Sequence, residues 1–150
     1  KRDGIMSGKK TVTMTPIGFL RTDVRDIPRH WSLSREEGTI AIDQEYLEGL
    51  SDIKPGQKII VIFWFDRSPA FLPRYLRQTP PHRREPLGVF SVCSPRRPNP
   101  IGLSVLTVLD IQQGNIRVRG IDMLDGTPIL DIKPYITEAE ECPSYSGEGA

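Results

Sequence analysis

Two segments hold most of the residues in this chain that could do chemistry. They are Ser94-Pro95-Arg96-Arg97-Pro98-Asn99-Pro100-Ile101-Gly102 and Asp125-Gly126-Thr127-Pro128-Ile129-Leu130-Asp131-Ile132-Lys133-Pro134-Tyr135. In the first, three prolines lock φ and remove backbone donors, so it can be neither a ladder-forming strand nor a helix interior. A loop that stiff holds the Arg97 guanidinium and the Asn99 amide in place. The second segment opens on Asp125-Gly126, a strong turn dipeptide. It then alternates, with Asp131 and Lys133 between apolar residues, which predicts a strand with polar side chains on one face and Tyr135 at its end. Rigid polar groups on loops and strand ends are where binding sites tend to sit.

The elements that must position these groups read mainly as strands. Gln57 to Phe65 is a near-continuous apolar run behind Pro55-Gly56, the pattern of a central buried strand. Strands are also predicted over Val12–Thr22 (with an irregularity at Pro16-Ile17-Gly18), Gly38–Asp43, Leu87–Val92, Ile101–Ile111 and Asn115–Met123. Gln112-Gln113-Gly114-Asn115 joins the last two as a hairpin. Only Gln44–Ile53 looks helical, for a turn or two. No long amphipathic helix and no Gly-rich phosphate loop after a strand are present, which disfavours a Rossmann-type sheet. Thirteen glycines and fourteen prolines in 150 residues exceed the usual shares of about 7% and 5% and suit a turn-rich β architecture. The expectation is an all-β, single-domain β-barrel with long inserted loops and little helix. A flexible arm or tag remnant is expected over 1–10, the barrel domain over 11–140 and a flexible tail over 141–150.

The net charge of +1 says little about partners, but its distribution does. From Arg67 to Arg97 there are seven arginines, no lysine and one acid, Glu85. Such a local excess suits a phosphate or another anionic substrate, or else a solvated loop that keeps the protein soluble. The stretch Asp66–Pro86 is the largest insertion, a length usually reserved for lids and binding loops. Within it Arg74-Tyr75-Leu76-Arg77 reads as one helical turn, with Tyr75 available for stacking. Cys93 and Cys142 make no disulfide framework, and with only His30 and His82 beside them no zinc site is expected. No apolar run reaches the roughly 20 residues of a membrane span, and the start is polar and basic, so the expectation is a soluble, cytoplasmic protein without membrane or metal partners.

The two segments, with Gly88-Val89-Phe90 leading into the first, resemble the TsaA-like family. Pro16-Ile17-Gly18, Pro28-Arg29-His30 and Phe63-Trp64-Phe65 extend the likeness over most of the chain. Characterised members are S-adenosylmethionine-dependent tRNA methyltransferases of a β-barrel type, which methylate N6 of threonylcarbamoyladenosine beside the anticodon. The resemblance implies that cofactor, a tRNA partner and a homodimer. Carried over residue by residue, it places the cofactor against Pro28, Arg29, His30, Phe65, Asp66, Leu103 and the turn Met123, Leu124, Asp125, Gly126. At Cys93, part of the same wall, the family usually has arginine; His30 stands for glutamine and Asp66 for histidine. Arg96, three residues on from Cys93, can substitute only if its loop turns the side chain inward.

For the chemistry that the resemblance implies, Asp131 is the first candidate to accept the proton leaving an adenine N6. Lys133 and Tyr135 would orient the base or bind phosphate. Alternatively Asp131 and Lys133 form a structural pair within the strand. Arg74, Arg77, Arg83, Arg84, Arg96, Arg97 and Asn99 are the candidate RNA contacts, since arginines neutralise backbone phosphates. Two other functions stay open: the same chemistry on another RNA or a small molecule, and a non-catalytic binder of cofactor or RNA.

Overall fold

The apolar run after Pro55-Gly56 becomes the strand β3 (Lys58–Trp64), with Ile59, Val61 and Phe63 buried and the residues between them less so. Each such isoleucine, valine or phenylalanine removed from water contributes about 1.5–3 kcal/mol. In this computed structural model, which describes residues 8–143, the same alternation recurs in β1 (Gly18–Arg21), β2 (Glu37–Ile42), β6 (Ile101–Gln112) and β7 (Asn115–Arg119), while β8 (Pro128–Pro134) buries its first two residues and grows exposed toward its end. Their inward residues, among them Leu20, Ile40, Leu106, Val108, Ile116, Val118 and Ile129, form one core.

The six strands close into an antiparallel barrel in the order β1-β2-β7-β6-β3-β8, with β8 returning to β1. Closure leaves no barrel strand with an unpaired edge. A two-residue ribbon, β4 (Arg77–Gln78) with β5 (Leu87–Gly88), lies outside the barrel within the long insertion. The expected arm and tail, over 1–10 and 141–150, fall mainly outside the described residues. The hairpin forms as read: Gln112 pairs with Asn115, and Gln113 and Gly114 take positive φ of 50° and 85°. Two successive positive φ values match the twist of a two-residue turn.

Three predicted strands are shorter than expected. In Val12–Thr22 only Gly18–Arg21 pairs, because Pro16 lacks the donor a ladder needs. Leu87–Val92 pairs for two residues and then turns into a 3-10 helix, Val89–Ser91, since β4 is too short to extend the ladder. Asn115–Met123 stops at Arg119, where Gly120 takes a φ of 104° and redirects the chain. The expected helical turns are both 3-10, at Gln44–Leu50 and Pro73–Leu76.

The topology sends the three long connections, β1–β2, β3–β6 and β7–β8, out of one end of the barrel. The β6–β7 hairpin, the β2–β3 connection and the end of β8 occupy the other. One end of the molecule is therefore built from Thr22–Glu36, Phe65–Pro100 and Gly120–Thr127.

Candidate functional site

Those three connections enclose a cavity of about 730 Å³, within the size range of sites for small organic ligands. Its apolar wall comes from the end of β3, the start of β6 and the β7–β8 connection: Phe63, Phe65, Leu103 and Met123. Phe63 and Phe65 meet edge to face, ring centroids 4.9 Å apart and planes at 77°. In such a pair the edge of one ring is attracted to the face of the other. Charged groups ring the cavity: Arg29 and His30 from the first connection, Asp66, Arg67, Arg96 and Arg97 from the second, Asp122 from the third.

Most sequence-predicted cofactor residues are gathered here. Pro28, Arg29, His30, Phe65, Asp66, Cys93, Leu103, Met123 and Leu124 all line the cavity. His30 is oriented by Ser32, whose Oγ lies 2.7 Å from its Nδ1, and its ring packs on Trp31. Cys93 is exposed on the wall, and Arg96 turns toward the same cavity. Asp125 and Gly126 stand behind the lining. Asp125 Oδ1 accepts the Thr22 N–H at 2.9 Å, and the Gly126 N–H donates to the Leu20 carbonyl at 2.8 Å. They pin the turn to β1, and Gly126 needs its positive φ of 81° to do so.

The arginine-rich loop divides by role. Arg97 is folded inward, its Nη1 donating to the Val92 and Ser94 carbonyls at 2.9 and 3.2 Å. Arg77 donates to the Pro86 carbonyl, and Arg67 to the Asp125 carbonyl. Asn99 lies outside the cavity lining; its carbonyl accepts the Ile101 N–H. Arg83 and Arg84 are exposed and lie outside the cavity lining.

Asp131, Lys133 and Tyr135 do not reach this cavity. Asp131 faces outward beside a bulge: Ile62 pairs with Asp131 and Phe63 with Ile129, leaving Leu130 unpaired. Its carboxylate accepts the Ile132 N–H at 2.9 Å and lies 3.0 Å from Lys133 Nζ. Tyr135 sits at the opposite end of the barrel, bonded through its N–H to the Lys58 carbonyl. Because the Asp131–Lys133 pair is half exposed, breaking it by Lys133→Ala is expected to cost at most about 1 kcal/mol in a urea melt.

Beside Asp66, a second carboxylate reaches the cavity, Asp122, which the sequence reading passed over. It is half-buried and accepts a hydrogen bond from the hydroxyl of Ser104, itself fully buried on an inward position of β6. Burial pushes its carboxyl above the ordinary carboxylate value, opposed by the bonds from Ser104 and the Trp31 N–H and by nearby His30. The sequence offers only an acid inside the apolar run Ile121-Asp122-Met123 and a serine in phase with Leu106 and Val108, with nothing local to join the two.

Comparison with known proteins decides the family. The family model described as the tRNA-methyltransferase O N-terminal domain matches residues 16–141. The chain belongs to this family. It is similar to an S-adenosyl-L-methionine-binding protein of Archaeoglobus fulgidus, 39% identical over 138 residues that make up 90% of this chain and 97% of that protein. A putative S-adenosylmethionine-dependent methyltransferase RcsF of Pseudomonas aeruginosa is 37% identical over 87% of this chain and 59% of its own length. A solved structure of TrmO from Pseudomonas aeruginosa superposes with a TM-score of 0.70 at 31% identity, over 94% of this chain and 64% of that one. Against a second TrmO structure from the same source the TM-score is 0.67, over 56% of that chain. The chain thus spans less than two thirds of the TrmO chains it matches. Among the described residues no group of three or more His, Cys, Asp or Glu is placed to hold a metal, and no helix is long and apolar enough to cross a membrane.

Proposed function

We propose that this chain binds S-adenosylmethionine in the cavity and transfers its methyl group to N6 of a threonylcarbamoyladenosine in tRNA, beside the anticodon. The observation that carries the reading is the cavity's make-up: an aromatic wall, a cation unpaired among the described residues and a partly desolvated carboxylate on three converging connections. These residues fit the cofactor. The slot between Phe63, Phe65, Leu103 and Met123 suits an adenine, with Leu124 and Pro28 at its edges. Arg29 has no acidic partner among the described residues and suits the methionine carboxylate. Asp66 and the aromatic faces suit a sulfonium. When bound, the cofactor supplies an electrophilic methyl group.

Asp122 does the remaining work in this reading. An amine attached to an aromatic ring is a weak nucleophile and must lose a proton as it forms its new bond. Asp122, held by Ser104 and stripped of part of its water, accepts that proton. The tRNA contributes the rest of its binding through the arginine-rich insertion.

A homodimer is part of the same proposal. Exposed apolar residues surround the built-up end: Trp64, Phe90, Ile101, Leu103 and Leu124. A partner would cover them, and would also give Asp131, on the outer face of β8 beside β3, a route to the neighbour's cavity that it lacks in its own. Mixed dimers of D122N and D131N would then regain activity that neither homodimer has, because one of the two cavities keeps both native carboxylates. A fully active monomer in light scattering would rule this arrangement out. Localisation in the cytoplasm follows from the proposed substrate.

The deciding assay is methyl transfer from S-adenosylmethionine to threonylcarbamoyladenosine-bearing tRNA, read by nucleoside mass spectrometry. A mass gain on that nucleoside is expected; no gain with folded, cofactor-binding protein overturns the substrate. Arg29→Ala is expected to weaken cofactor affinity in calorimetry by about 1.5–3 kcal/mol, roughly ten- to hundredfold.

A further inference from the structure

Two guanidinium groups and one phenol ring meet at the mouth of the cavity. The Cζ atoms of Arg74 and Arg96 lie 5.2 and 5.3 Å from the centroid of the Tyr75 ring. Arg74 comes from the 3-10 turn Pro73–Leu76 of the insertion, Arg96 from the proline-locked loop that walls the cavity. Phe71 backs the ring at 6.4 Å, and Arg74 Nη2 donates to the Tyr75 hydroxyl at 3.3 Å. That bond is the largest of the effects lowering the Tyr75 phenol below its ordinary value.

Gln78 joins the two loops. Its Nε2 donates to the Tyr75 carbonyl and to the Arg96 carbonyl, both at 2.7 Å. An amide nitrogen has two protons, so both are used to hold Tyr75 and Arg96 in register. Among the described residues neither Arg74 nor Arg96 has a carboxylate within ion-pair distance. Arg67, Arg77 and Arg97, by contrast, spend donors on backbone carbonyls. A guanidinium resting on an aromatic face leaves in-plane N–H donors free to grip phosphate oxygens, and Arg74 spends only one of its five, on the Tyr75 hydroxyl.

We propose that Arg74 and Arg96, set by Tyr75 and stapled by Gln78, form a phosphodiester site that grips the RNA strand next to the nucleotide entering the cavity. The inference rests on an RNA substrate. It goes further in separating two working arginines from the rest of the arginine-rich insertion and in assigning Gln78 a positioning role. Arg74 lies outside the cavity lining, so its target is a group that remains at the mouth.

The test is fluorescence anisotropy of a short single-stranded RNA across a potassium chloride series. R74A and R96A are each expected to reduce the slope of log affinity against log salt by about 0.7, one phosphate contact on a single strand. Gln78→Leu should weaken RNA binding several-fold, and should add little in a Q78L/R74A double variant, because both remove the same grip. R117A, whose arginine pairs with Glu37 on the barrel wall, should leave the slope unchanged. Calorimetry with S-adenosylmethionine should show R74A and Q78L at native affinity. Unchanged slopes in R74A and R96A overturn the proposal. So does an R96A that loses cofactor but not RNA, which would assign Arg96 to the methionine carboxylate, or a site that takes an acidic peptide in preference to RNA. Since binding is read without methyl transfer, a clamp that holds RNA in an inactive protein would refute the proposed activity alone.

Discussion

Asp122→Asn is expected to retain cofactor affinity and to lose methyl transfer by about 10²- to 10⁴-fold, the usual contribution of a positioned proton acceptor. Asparagine can still accept from Ser104 through its side-chain oxygen, so the wall keeps its shape while the basic group is gone. Single-turnover methylation beside calorimetric cofactor titration separates the two effects; equal losses in both would reduce Asp122 to a cofactor ligand. In the parent, the rate should fall on acidification through a pKa above the ordinary carboxylate value, because a protonated acid cannot accept. Stability runs the opposite way. Burial favours the protonated folded form, so the native state binds more protons than the unfolded chain between their two pKa values, and stability declines as pH rises through that window. D122N should therefore melt higher than the parent at neutral pH, with the gap closing below the normal carboxylate pKa. An inactive variant that is also more stable is the mark of a strained functional carboxylate.

The second large effect is expected at Gly102→Ala. Gly102 faces inward at the start of β6, opposite Phe63, and a Cβ there would fall 2.2 Å from Phe63 Cζ and 2.4 Å from Cε2. The ring is fully buried and packed on Phe65, so it can retreat only by disturbing the aromatic wall of the cavity. Overpacking of this kind costs about 1–3 kcal/mol. A lower urea midpoint together with weaker cofactor binding is the expected pair of results. A stable G102A with native cofactor affinity would mean that the Phe63 ring does not define the slot.

These two residues show where the sequence could and could not be read. The apolar period of β3 and the turn chemistry of Gln112–Asn115 are local properties, and both were legible. Asp125-Gly126 was recognised as a turn for the right reason, the positive φ that Gly126 supplies. Asp131 was the natural proton acceptor in the linear sequence, because it shares a strand face with Lys133. Strand alternation, however, tells which residues share a face, not which face meets a cavity. The unpaired Leu130 and the outward turn of Asp131 depend on the partner strand β3, which lies far away in sequence. Asp122 was hidden for the converse reason: nothing local marks an acid in a short apolar run as desolvated until Ser104 arrives from another strand.

By itself, the sequence determined the all-β class, the buried strands, the stiff Ser94–Gly102 loop and the family, since each depends on backbone chemistry or apolar periodicity within a few residues. Only the tertiary structure decided that three connections converge at one end of a closed barrel. That convergence brings Asp122 into the cavity, sets Asp131 outside it, and joins Arg74 and Arg96 across one tyrosine. The reason is physical: which side chains meet is set by strand order and register across the barrel, and pairings between distant strands leave no periodic trace in the chain that makes them.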